Sequence, residues 1–170
     1  MKLMIMIGGA ALIAAPLSAQ DTGVRYGPVF EDFGPHLSVE GIGDVPADTE
    51  FAHSFDVARK APDGQRNSGF ESAARFMNMH AAHGVDPENM RLAVVVHGSA
   101  VKDLLDGEDN ASAAMVREML DAGVRFIVCG QSAVGQGIAQ EDLIPGVEMA
   151  LSAMTAHALL QQRGYTLNPF

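Results

Sequence analysis

Only one cysteine, Cys129, occurs in the 170 residues. No internal disulfide can form, so stability must come from packing, and cysteine-rich zinc sites are excluded. Positive charge is also scarce. Eleven Lys and Arg stand against 21 Asp and Glu, giving a net charge of −10. Such a chain gains nothing from phosphate attraction and is repelled by anionic lipid, which argues against nucleic acid and membrane as partners. No apolar run reaches the roughly 20 residues that a spanning helix needs. Nor is there a GxSxG elbow or a GxxxxGK phosphate loop. The glycines of GQSAVGQG are wrongly spaced for a dinucleotide fingerprint, and no acidic residue follows where one is expected.

The N-terminus is the first positive signal. MKLMIMIGGAALIAAPLSAQ has one charge at Lys2, an apolar stretch from Leu3 to Ala15, then Pro16 and small residues. That is the plan of a cleavable secretory signal over residues 1–19, cut after Ala19, and it predicts a periplasmic or secreted protein. No cysteine follows the cut, so a lipid anchor is not expected. Removal of the leader leaves 151 residues carrying −11, enough for one core. Residues 20–50 are rich in Gly, Pro and acidic side chains, and Pro28, Pro35 and Pro46 interrupt any regular element. They read as an extended arm lying across the body or a neighbouring subunit. Val29, Phe30, Phe33 and Leu37 favour a docked arm over a mobile tail.

From Phe51 to the C-terminus the pattern is that of a single α/β domain. FAHSFDVA alternates as a first strand, and Asn67 or Ser68 caps a helix with Phe70, Ala73, Ala74, Met77 and Ala81 on one face. RLAVVVHG and VRFIVCG are continuous apolar runs, the mark of strands buried on both faces. A helix with Met115, Met119 and Leu120 on its stripe lies between them. VEMALSA, AMTAHALLQQRG and YTLNP follow as strand, helix and short strand. Strict alternation predicts a three-layer α/β/α sandwich with a mostly parallel sheet, flavodoxin-like or Rossmann-like.

In such sheets ligands bind at the carboxyl ends of the strands. His97 and Cys129 stand at two of those ends, each followed by glycine and residues able to open a helix. On neighbouring strands they would share one mouth. The thiolate is cysteine's reactive form, favoured by nearby amides of Gly130, Gln131 and Ser132 or by a basic partner such as His97. Gly98 and Ser99 line the other side of the mouth, and Gly135 and Gly137 shape the far loop. The opposing reading is a buried, inert cysteine. His80 and His83 lie three apart on one helix and offer a weaker alternative, copper or another metal held with Met77 or Met79.

VVVHGSAVKDLL, AGVRFIVCGQSAVGQGI, EDLIPGVEMALSAM and LLQQRGY, in that order, resemble the exported branch of the DsrE/DsrF-like family over about residues 50–167. The resemblance implies a three-layer α/β/α fold, assembly as trimers or hexamers, and sulfur handling. It implies that Cys129 accepts a sulfane sulfur as a persulfide and passes it on, with no cofactor. The partner would be a donor or acceptor protein or a small sulfane-sulfur compound. Gly137-Ile138 match the family's Gly-Ile, whereas Val134, Gly135 and Gln136 stand where its sulfur carriers have a larger residue and basic ones. A non-catalytic oligomeric binding or assembly module remains the rival.

Overall fold

Arm and body are built on different principles. The computed structural model describes residues 23–43 and 45–168; the expected leader lies outside them. In the arm, two short strands, β1 (Val24–Arg25) and β2 (His36–Leu37), pair antiparallel. Between them Phe30 and Phe33 stack at 4.7 Å and sink into the core, which docks this segment on the body.

The body follows the expected alternation. Its strands are β3 (Phe51–Val57), β4 (Met90–Val96), β5 (Arg125–Cys129), β6 (Glu148–Ala150) and β7 (Thr166–Leu167). Its helices are α1 (Ser68–Ala81), α2 (Ala113–Asp121), α3 (Gly130–Gly135) and α4 (Ala153–Gln162). All neighbours pair parallel, in the order β6-β5-β4-β3-β7. 3₁₀ segments at Pro87–Asn89, Gly98–Leu104 and Gln140–Asp142 complete the connections. No helix among the described residues is long and apolar enough to cross a membrane.

Period-two alternation sends successive side chains of β4 to two cores. Leu92, Val94 and Val96 face the larger one, with Phe70, Met77, Met115, Met119, Phe126 and Ala133 from α1, α2, β5 and α3. Ala93 and Val95 face the smaller one, with Ile127, Ala156, Leu160 and Tyr165. One face thus carries α1, α2 and α3, and the other carries α4 alone.

Buried polar groups fix the helix ends and the arm. Asn67 caps α1, its Oδ1 accepting from the Gly69 amide at 2.9 Å, and its Nδ2 donates to buried Asp103 at 2.6 Å. Asn78, fully buried in α1, clasps the arm. Its Oδ1 accepts from the amides of Val29 and Phe30, and its Nδ2 donates to the carbonyls of Phe30, Phe33 and Gly34. Satisfying buried backbone groups in this way avoids the desolvation cost of leaving them unpaired.

Candidate thiol site

Cys129 ends β5 and occupies the N-cap position of α3. Its register partner on β6 is Ala150. Chain leaving β5 turns into α3 on one face, whereas chain leaving β6 turns into α4 on the other. The crevice between two such strands is where open α/β sheets bind ligands. Gly130 allows the two strand ends to meet: a Cβ there would lie 2.7 Å from the Ala150 carbonyl oxygen.

The sulfur lies just beneath the surface, with 6% of the residue exposed. Burial works to raise the thiol pKa, because it penalises the charged form. Hydrogen bonds from the Ser132 hydroxyl and from the amides of Ser132, Ala153 and Gln131 outweigh it and bring the thiol below its ordinary value. The amides come from two elements, α3 and the first residue of α4. Ser132 Oγ also accepts from the Gly98 amide at 3.1 Å, so the loop after β4 is tied to the group that faces the sulfur. Gln136 Nε2 strengthens the tie by donating to the carbonyls of Gly98 and Ser132, both at 2.9 Å. Gly98 has φ +56°, and a Cβ there would approach the Ala58 carbonyl oxygen to 2.8 Å, so glycine is required on both counts.

The other residues singled out from the sequence divide into two groups. Gln131 and Ser132 act on the sulfur through their amides, Gly130 gives the close approach to β6, and the Gln131 side chain also donates to the Leu151 carbonyl at 3.3 Å. Ser99 serves the backbone instead, donating to the Ala58 carbonyl and accepting from the Lys60 amide. β4 and β5 are neighbours, and the pair Val96–Val128 sets His97 and Cys129 side by side at their carboxyl ends. The imidazole nevertheless turns to β3, where its Nε2 donates to Asp56 Oδ2 at 3.1 Å. The groups that lower the thiol pKa are the Ser132 hydroxyl and amides; His97 is not among them.

Asp56 and His157 are site residues that the sequence did not single out. Asp56 Oδ1 accepts from His157 Nε2 at 2.8 Å. Burial works to raise the Asp56 pKa, but the hydrogen bonds from His157 and His97 and their charges outweigh it, leaving the carboxyl below its ordinary value. Asp56 is the one acidic residue of FAHSFDV, but nothing in that run ties it to a histidine 101 residues away.

His80 and His83 each turn Nδ1 back to a carbonyl four residues earlier, those of Phe76 and Met79, at 2.8 Å. His80 also packs on Phe76 with ring centroids 4.0 Å apart. Among the described residues, no group of three or more His, Cys, Asp or Glu is placed to hold a metal ion.

Parallel sheet, helices on both faces and a cysteine under convergent amides at the crevice define a thiol-bearing α/β/α domain. The chain belongs to the DsrE/DsrF-like family, whose model matches residues 53–169. Membership in that family suggests a sulfur-relay-type role. No curated protein matches the chain. Among solved structures, a protein of unknown function from Methanobacterium thermoautotrophicum is 21% identical, with a TM-score of 0.52. The match covers 70% of this chain and 98% of that one. The ychN protein from E. coli is also 21% identical, with a TM-score of 0.50 over 69% of this chain and all of its own. These two likenesses show the fold.

Proposed function

We propose that this protein carries sulfane sulfur as a persulfide on Cys129, in the periplasm or outside the cell, as a homo-oligomer of three or six copies. The observation that carries the reading is the placement of Cys129 at the N-cap position of α3, where the Ser132 hydroxyl and the amides of Ser132, Ala153 and Gln131 hold its thiol below the ordinary value. The same donors suit the outer sulfur of a Cys129–S–S⁻ group. Transfer proceeds by thiolate attack and covalent holding of the cargo, so no cofactor is required. Export rests on the leader pattern of residues 1–19. Self-association and docking of a donor or acceptor are supported by Val134, Leu151 and Met154, large apolar side chains exposed on α3 and around the start of α4.

Exposure of 6% at Cys129 favours one rival, a binding module in which the cysteine only packs. Treatment with inorganic polysulfide followed by mass spectrometry separates them. The carrier gains one sulfur atom on Cys129, removable by reductant, and the packing module gains none. Light scattering on the native protein measures the number of copies.

A further inference from the structure

Asp56 joins two imidazoles that come from distant parts of the chain, and does so beside Cys129. Its partner across β3–β4 is Val95, which packs under α4, so the carboxylate rises on the α4 side of the sheet. His157 follows Ala153 by one turn of α4, and the Ala153 amide is one of the donors to the sulfur. His97 stands at the strand end next to Cys129. Three elements therefore bring a carboxylate and two imidazoles to the side of the sheet where the thiol is activated.

Tautomers divide the labour between the rings. Both direct Nε2 at the carboxylate, which only accepts, so both carry their proton on Nε2. His157 Nδ1 is buried without a partner, and its side chain is 15% exposed. That ring is a strut, its one N–H committed to the carboxylate. The His97 side chain is 34% exposed, and its Nδ1 is left as an acceptor. The titratable groups around His97 are Asp56 from β3, His157 from α4 by way of that carboxylate, and Cys129 from β5. Among the described residues Asp56 forms ion pairs with no other group.

We propose that Asp56 and His157 are positioning residues that hold His97 as the proton acceptor and donor for sulfur exchange at Cys129. This rests on the reading of Cys129 as the carrier. The Cys129 thiol gives its proton to His97 Nδ1, directly or through one water, and the imidazolium is held by the Asp56 carboxylate. The thiolate attacks the outer sulfur of a small persulfide R–S–SH. A Cys129–sulfur bond forms, the S–S bond of the donor breaks, and the leaving thiolate R–S⁻ takes the proton back from His97. The products are Cys129–S–SH and R–SH, with no other oxidant or reductant consumed.

The test is a mutant cycle with two readouts: single-turnover sulfur uptake from cysteine persulfide, and alkylation of Cys129 by iodoacetamide, each across about pH 5 to 9. Proton transfer by a positioned side chain contributes about 10²–10⁴-fold, so His97→Gln should slow uptake by about 10²-fold. Asp56→Asn and His157→Gln should each slow it by about tenfold and displace the pH profile. Neither should slow it further in the His97→Gln background, since both act through His97. Asp56→Glu, which keeps the carboxylate, should recover part of the rate. Equal slowing by Asp56→Asn with and without His97, or no change in either readout, overturns the proposal. Should Asp56→Asn fail to fold, His157→Gln and Asp56→Glu carry the same cycle. If the wild type takes up no sulfur but alkylation stays coupled to Asp56 through His97, the carrier reading fails and the positioning role stands. If uptake occurs without that coupling, the outcome is reversed.

Discussion

Ser132 Oγ receives the Gly98 amide at 3.1 Å, and so the hydroxyl that faces Cys129 is oriented from the neighbouring strand end. With its lone pair engaged by that amide, the hydroxyl hydrogen is free to point at the sulfur. The loop after β4, tied by that hydrogen bond and by Gln136, thereby contributes to the acidity of a thiol on another strand.

Removal of that hydroxyl should raise the thiol pKa. Hydrogen bonds to charged groups are worth about 1.5–3 kcal/mol, and one pKa unit is about 1.4 kcal/mol. Ser132→Ala should therefore lower the thiolate fraction near neutral pH by about tenfold or somewhat more. The pH dependence of iodoacetamide alkylation measures it, and an unchanged midpoint would refute the role given to the hydroxyl.

The depressed thiol pKa also links folding to pH. The folded state holds the thiolate better than the unfolded chain does, so its stabilising contribution is complete above the unfolded thiol value and is lost as pH falls through the folded one. Wild type should gain stability over Cys129→Ser on going from neutral pH to about pH 9. Urea unfolding midpoints at the two pH values give the sign directly.

Gly130→Ala places a Cβ against backbone, at 2.7 Å from the Ala150 carbonyl oxygen, where no side-chain rotation relieves it. Overpacking of this kind costs about 1–3 kcal/mol. The variant should melt earlier and react faster with thiol reagents as β5 and β6 part beside the sulfur.

Arg125 on β5 grips Glu148 on β6 in two hydrogen bonds, at 2.8 and 2.7 Å. The hydrogen bond from Arg125 lowers the Glu148 pKa despite burial working against it. A pair this exposed is worth at most about 1 kcal/mol. Glu148→Gln should cost no more than that at neutral pH, and the difference should vanish as the carboxylate protonates below about pH 4. Denaturant midpoints at two pH values test both statements.

Asn78→Ala removes five hydrogen bonds between α1 and the arm. Leaving buried backbone groups unpaired costs about 1–3 kcal/mol each when they stay buried, so the arm should lift rather than remain. Expected outcomes are a loss of roughly 3 kcal/mol and rapid hydrogen exchange at Val29 and Phe30. Unchanged protection at those amides would show that the stacked Phe30 and Phe33 alone hold the arm.

The architecture was legible because continuous runs such as LAVVV and FIV have one physical use, a strand covered on both faces. Cys129 was legible for a related reason: a polar residue ending such a run must stand at the carboxyl edge. Asp56 and His157 were not, since they meet across 101 residues and each is ordinary where it stands. A histidine in AMTAHALL reads as one polar step on a helix until the sheet beneath it is known. Periodicity reports which face a side chain takes and says nothing about which strand lies next to which. For the same reason the nearness of His97 to Cys129 was available only as a condition, and the turn of its ring toward β3 only in the folded chain.

The slight exposure of Cys129 has a kinetic meaning of its own. A nucleophile so nearly covered discriminates among reagents by girth. Slender chains of sulfur atoms should reach it far sooner than a tripeptide disulfide with its bulky arms. Selectivity of this sort is set by walls rather than by attraction, and it persists when salt or charge is changed.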